Sequence, residues 1–418
     1  MRAIRPAPPM DFDCLVVGHG AAGLLCASRL ASRGIRVAVV GTGETSTSLS
    51  TGCISMVEKI EGDLIDPNVL SSQFPYSLAG DDRDEVIMVL EDLYSFLIPD
   101  LEMQGLPMRG NPLSIRRMLT SLGTPYQCSI PQMYSLRGRL EHILEKGASL
   151  LGIMGHRDSD SDLASRMIKS TLDMEIRPFW TKPSSLEGRT DLTASEVSRL
   201  AKRSDLTNEL AEAISEIEGE LVGIPPVFDL SGYQEGMSFL ERSSGKEVFE
   251  LVTPLSIPGR RLQSAMESMA RAKGCTMLLG WRAVDVEIFN GEVTGVVLGS
   301  RSREVRVDLS SIVLATGDSV GGGLTLKGQS VLEPIMGASC TFMGEDLRTL
   351  HAEDLVGLSN AGIEVDSVLR PRCSGEIIAN AAAAGSIISG FSYPSGGGMG
   401  AAMLTSWLAA QTIMEVVG

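Results

Sequence analysis

The chain has 418 residues, a formal charge of −16 at pH 7 and 43% hydrophobic residues, which is length and apolar content for two or three packed units. Its acidic balance excludes broad electrostatic binding to nucleic acid or to an anionic membrane surface, since both are polyanions. Apolar runs such as 379–390 are too short and too small-sided to span a bilayer. The opening MRAIRPAPPMDFD lacks the apolar stretch of a secretory signal, so a cytoplasmic location is expected.

Residues 13–18 (DCLVVG) form a β-branched apolar run ending at glycine, residues 21–33 have helical spacing with Gly34 as a stop, and Ile35–Val40 is the next strand. The loop between the first two elements reads Gly18-His19-Gly20-Ala21-Ala22-Gly23. In such a loop the first glycine permits a tight turn and the second lets backbone amides approach a phosphate. The third lets the helix pack on the strand, and the helix N-terminus faces the anion. The motif ordinarily continues to an Asp or Glu at the end of the second strand, which accepts hydrogen bonds from the adenosine ribose. That position is Gly41 here, with Thr42 and Glu44 nearby. Either Glu44 substitutes, which would suit FAD, or no adenosine is held, which favours FMN as the cofactor. The hydroxyl-rich stretch 45–53 (TSTSLSTGC) follows, and Ser48, Ser50, Thr51 and Gly52 are candidates to line the phosphate and ribityl chain.

From about residue 63 to 245 glycines thin out and charged amphipathic helices appear. Residues 147–168 read as a strand, a polar turn and a helix, and Thr193 with Glu196 three residues on forms a helix-capping pattern. The glycine-rich style returns near 250. Pro258–Lys273 is a helix stopped by Gly274, followed by strands at 276–281, 283–289 and 292–299, the last two joined by the hairpin signal Asn290-Gly291. A strand then ends on Ala315-Thr316-Gly317, a second place where small residues admit a nucleotide. The segment 362–413 reads as a hairpin carrying Arg370 and Arg372, a strand ending at Ala384-Gly385, and a turn, with Gly397, Gly398, Met399 and Gly400, that opens a helix. A helix N-terminus at that point would stabilise negative charge on a reduced flavin.

The fold class predicted is α/β: a Rossmann-like FAD/NAD(P)-binding domain with a parallel sheet plus a β-hairpin or meander. It is discontinuous over 10–62 and 246–418, with an inserted α/β or mainly helical domain over 63–245 as a lid, substrate or partner domain. Seven cysteines at 14, 26, 53, 128, 275, 340 and 373 and four scattered histidines give no metal-ligand spacing, and no metal is expected. Arg260, Arg261, Arg370 and Arg372 are candidates to bind a small phosphorylated substrate. His19 reads as a phosphate-loop residue with a backbone role and His351 as part of a helix, so no catalytic residue is assigned.

Taken together, FDCLVVGHGAAGLLCASRLASRGIRVAVV (12–40), SLSTGCISM (48–56), FPYSLAG (74–80), SIPGRRLQSAM (256–266), IVLATGDSVGGGL (312–324), EPIMG (333–337) and the block from GIEVD to GGGMG (362–400) resemble the B subunit of anaerobic glycerol-3-phosphate dehydrogenase. The resemblance covers both ends of the chain well and 85–245 poorly. It implies an FMN-dependent flavin subunit that works beside an FAD-bearing catalytic A subunit and an iron–sulfur C subunit at the inner face of the membrane. Glycerol 3-phosphate is then oxidised to dihydroxyacetone phosphate and electrons pass to quinone.

Overall fold

A computed structural model describes residues 10–56, 62–327, 330–341, 360–391 and 398–417. The first strand, β1 (Met10–Val17), and the second, β2 (Val37–Gly41), flank helix α1 (Ala21–Ala31). All three are where apolar periodicity places them: Cys14–Val17 and Val37–Val40 are buried, as a parallel strand covered on both faces must be. Gly34, at φ +85, takes the left-handed turn that ends the helix region.

Two sheets organise the rest. An antiparallel pair, β3 (Arg116–Leu119) and β4 (Pro125–Cys128), lies between them in sequence. After it come β5 (Ser149–Ile153), β6 (Arg177–Thr181), β7 (Leu221–Ile224) and β8 (Glu247–Glu250), which form a four-stranded, all-parallel sheet in the order β6-β5-β7-β8. The chain leaves β5 to one side and returns to the other, the doubly wound arrangement. The inserted segment is therefore α/β, and its sheet runs to Glu250, five residues beyond the boundary read from composition.

The larger sheet brings β1 and β2 together with β9 (Thr276–Leu279), β10 (Arg282–Phe289), β11 (Glu292–Gly299) and β12 (Glu304–Leu314), in the order β10-β11-β12-β1-β2-β9. Its centre is parallel, with Leu15 beside Ile312 on one side and Ala38 on the other. The β10–β11 hairpin is antiparallel and turns at Asn290 (φ +52) and Gly291 (φ +77), the two positive φ values a type I′ turn requires. A short strand, Ala381–Ala383, joins the second half of β12 in parallel. The closing helix, Gly398–Val417, packs on α1, where the Arg29 guanidinium lies 3.7 Å from the Trp407 ring centroid.

Candidate functional site

Carboxyl ends of parallel strands are where an open α/β sheet presents ligand-binding loops. The ends of β1, β2 and β12 converge here on a cleft of about 470 Å³, within the range of small-molecule and cofactor sites. Its floor is the loop Gly18–Ala22. Gly18 sits at φ +119, and a Cβ on it would lie 2.0 Å from the Ala315 carbonyl oxygen; the chains leaving the parallel strands β1 and β12 run too close there for any side chain. A Cβ on Gly23 would lie 1.9 Å from the Gly18 carbonyl oxygen, so this third glycine serves helix-to-strand packing and stands behind the cleft. Gly20 differs, since its nearest obstacle would be Thr47 Oγ1 at 3.5 Å, so its open side is the cleft itself. No side chain caps α1 through Gly20, and the Ala21 amide donates to Thr47 Oγ1 at 2.8 Å.

The second wall is Ala315-Thr316-Gly317 with Gly321 and Gly322, and the third is Ala384-Gly385-Ser386 with Gly398, Met399 and Ala402 at the start of the last helix. The Gly385 amide is held by Thr405 Oγ1 at 2.9 Å. Among the described residues Thr316 Oγ1 is buried without a hydrogen-bond partner, a buried polar atom of the kind a ligand satisfies. At the other end, the cleft continues past the phosphate loop between Val40, Gly41, Thr42 and Glu44 and the start of β10 at Arg282, Ala283 and Val284. The room, the glycine-lined floor and the orphaned hydroxyl fit a flavin nucleotide.

Twelve of the residues expected at a cofactor site line this cleft: Gly18, Gly20, Ala21, Ala22, Thr42, Glu44, Ala315, Thr316, Gly317, Gly385, Gly398 and Met399. Others have different work. Ser48 is buried and donates to a Glu44 oxygen at 2.8 Å, while Ser50 Oγ donates to the Thr47 carbonyl at 2.7 Å. Thr51 Oγ1 donates to the Tyr126 hydroxyl at 3.1 Å. Gly52, at φ +70, is a junction residue, and a Cβ on it would lie 2.4 Å from both Gln132 Nε2 and the Pro258 carbonyl oxygen. Gly400 donates from its amide to Ser55 O at 3.0 Å and packs on Met56. Gly397 and His351 lie outside the described residues. Thr47, missed in the sequence, is the hydroxyl that reaches the phosphate loop.

The arginines divide likewise. Arg261 is fully buried and forms a short ion pair with Glu250, also fully buried, with a second contact of 2.9 Å. It donates to Phe228 O at 3.2 Å and lies 3.8 Å from the Tyr233 ring centroid. It therefore cannot meet substrate: it joins the Ile257–Ala272 helix to the insert. Arg260, half-exposed, pairs with Glu44 at 3.3 Å and donates to Ser195 Oγ at 2.9 Å. Arg370 is tied to Asp366 at 2.8 Å, and Arg372 sits in a two-residue strand; neither lines the cleft.

The chain belongs to the FAD binding domain family, whose model matches residues 13–347. Over nearly its whole length it is also similar to proteins that bear the name of the B subunit of anaerobic glycerol-3-phosphate dehydrogenase. That of Actinobacillus pleuropneumoniae serotype 5b is 24% identical over 98% of this chain and 99% of the relative, and that of Pectobacterium atrosepticum 26% identical over 97% and 99%. Among solved structures, the 3-ketosteroid-delta4-(5alpha)-dehydrogenase of Rhodococcus jostii RHA1 aligns over 98% of both chains, at 12% identity and a TM-score of 0.43. The family match is to an FAD fold, so the expectation of FMN, whose local argument was the missing acid, finds no support. At Gly41 there is a steric reason for that absence: a Cβ there would lie 2.1 Å from His19 Nδ1. Among the described residues no helix is long and apolar enough to cross a membrane, and no three metal-ligating side chains are grouped.

Proposed function

We propose that the chain is an FAD-bearing subunit of a glycerol-3-phosphate dehydrogenase assembly. It works beside a catalytic A subunit and an iron–sulfur C subunit and relays electrons toward quinone. The observation that carries the cofactor assignment is the match of residues 13–347 to an FAD binding domain, and the cleft whose lining takes in Ser386, Met399, the phosphate loop and Arg282–Val284 is where that cofactor would lie. Support for the assembly comes from relatives of that name that match this chain end to end. Gly18, Gly20, Ala21 and Ala22 would hold the diphosphate at the N-terminus of α1. Thr316 would supply a buried hydroxyl, and the start of the Gly398–Val417 helix would face the flavin end. Flavin, when bound, supplies two-electron oxidation and reduction that can be passed on one electron at a time. The chain's own groups bind and orient it and keep water from it. We place the end of the insert after Glu250, because β8 belongs to its sheet.

The test is the absorption spectrum of the purified chain, followed by acid release and chromatography of its cofactor. FAD is expected, whereas FMN as the sole flavin overturns the dinucleotide assignment and a folded, flavin-free protein overturns the reading altogether. Glycerol 3-phosphate oxidation with an artificial acceptor is expected to need the partner subunits. Full turnover by the isolated chain would replace the relay with a self-sufficient oxidoreductase.

A further inference from the structure

Gly41 and His19 are one feature. The imidazole lies against the Cα of Gly41 so closely that its Nδ1, Cγ and Cε1 atoms would be 2.1, 2.8 and 3.0 Å from a Cβ on that residue. Position 41 ends β2, where the dinucleotide motif ordinarily carries the ribose-binding carboxylate. No residue with a side chain can stand there while His19 keeps its place. The turn that carries the histidine is held where its carbonyl oxygen accepts from Gln263 Nε2 at 2.7 Å, with Gln263 held in turn by Thr45 and Glu267, and the ring itself hydrogen-bonds to the Gly43 backbone. Its ring lines the cleft together with Gly41, Thr42, Glu44 and Val284, on the side away from Thr316 and Gly385.

We propose that His19 is the adenosine-ribose recognition residue of this chain, reaching from the phosphate turn into the place that a carboxylate at position 41 holds elsewhere. This rests on the FAD reading above. The chemistry matches: a carboxylate serves there as a hydrogen-bond acceptor for ribose hydroxyls, and a neutral imidazole whose N–H is given to the Gly43 backbone keeps one acceptor nitrogen. Burial favours the neutral ring against the charges of Glu267 and Glu44 and its backbone hydrogen bond with Gly43. Glu44, the acid nearby, is drawn toward Arg260 and Ser48, which contact its two oxygens.

The steric exclusion supplies the test. Apoprotein of the wild type, His19→Ala, Gly41→Glu and the double variant His19→Ala/Gly41→Glu is titrated with FAD and with FMN by flavin fluorescence. Thermal unfolding of each apoprotein is followed alongside as the control for folding. His19→Ala is expected to weaken FAD about five- to tenfold, the loss of one hydrogen bond, and to leave FMN, which has no adenosine, within about twofold. Gly41→Glu alone, forced into the ring, is expected to lose FAD more severely, and the double variant to regain it to within about threefold of wild type. Equal FAD affinity in wild type and His19→Ala, or an equal loss of FAD and FMN, overturns the assignment and leaves His19 as a loop filler. A double variant no better than Gly41→Glu overturns it too. Failure of the wild type to bind any flavin overturns instead the reading on which it rests.

Discussion

Arg261→Met tests whether this arginine holds the molecule together or meets a substrate. Both it and Glu250 have fully buried side chains, and removing one member of a buried pair leaves the other charge without water or counterion, at a cost of about 3–5 kcal/mol. Loss of the guanidinium over the Tyr233 ring and of its bond to Phe228 O acts in the same direction, so about 4 kcal/mol is a fair expectation. At about 2.1 cal/mol/K per residue, 418 residues correspond to an unfolding entropy of roughly 0.9 kcal/mol/K, so the midpoint should fall by about 4–5 °C if the chain unfolds as one unit. The partner variant Arg261→Met/Glu250→Leu removes both charges and fills the space with apolar atoms, which is often neutral or stabilising. It should return most of that loss. Differential scanning calorimetry of the apoproteins reads both, with coincident circular-dichroism transitions as the check on two-state behaviour. If Arg261→Met melts within about 1 °C of wild type, or if the double variant is as unstable as the single, the pair is not what joins these elements.

The glycines of the phosphate loop should separate into two kinds. Gly23→Ala, whose Cβ would overlap the Gly18 carbonyl, is expected to destabilise the apoprotein by about 2 kcal/mol or more, read as a lowered midpoint in urea. Gly20→Val, whose side chain would enter the cleft, should leave stability within about 1 kcal/mol of wild type while abolishing flavin retention; full flavin content in the folded variant would contradict the placement of the phosphate. His156 is buried, with Nδ1 accepting from the Asp158 amide at 3.0 Å and Nε2 3.3 Å from Pro226 O, and burial lowers its pKa from 6.5. A base depressed in the fold takes up its proton more readily when unfolded. Its contribution is therefore complete above about pH 6.5 and is lost as pH falls toward the folded value, by at most about 1.4 kcal/mol per pH unit. His156→Gln should flatten the acid limb of a stability-against-pH profile, and an unchanged limb would show that the titration lies elsewhere.

Local chemistry explains how much of this was legible in the sequence. The strand–turn–helix at 10–31, the Asn290-Gly291 hairpin and the capping box at Thr193 and Glu196 are each set by residues within a few positions of one another. Arg261 is easily mistaken for a substrate ligand because its partner Glu250 belongs to the other sheet, yet a signal is present. Ile257, Arg261, Ala265 and Met269 fall at intervals of four on one buried face, while Arg260, a hundred degrees round the helix, is half-exposed. The far wall of the cleft, Arg282–Val284, could not be read at all, since it comes from more than 200 residues beyond the loop it faces. Nor could the choice of Thr47 over Ser48, Ser50 and Thr51, which depends on how a four-residue helical turn, Ser46–Leu49, is seated.

That seating ties the insert to the cofactor cleft. A Cβ on Gly259 would lie 2.5–2.8 Å from the carbonyl oxygens of Thr47, Ser48 and Ser50, so the Ile257–Ala272 helix lies directly on the hydroxyl-rich turn. Two residues further along, Arg261 fastens the same helix to Glu250 at the end of the insert's sheet. From the other side Gln132, fully buried, donates to Gly52 O at 3.1 Å and Pro258 O at 2.9 Å. Thr47 thus holds the Ala21 amide from a turn whose position is set by the insert on both flanks. Contiguous packing of this kind is not in itself a two-state relay; what it fixes is register. A displacement of the helix toward the turn would press on it directly, because Gly259 leaves no room between them. Arg261→Met, which removes a charge outside the cleft, is therefore expected to lower the flavin content of the folded protein as well as its stability, and unchanged flavin content in the destabilised variant would show that the turn does not follow the helix.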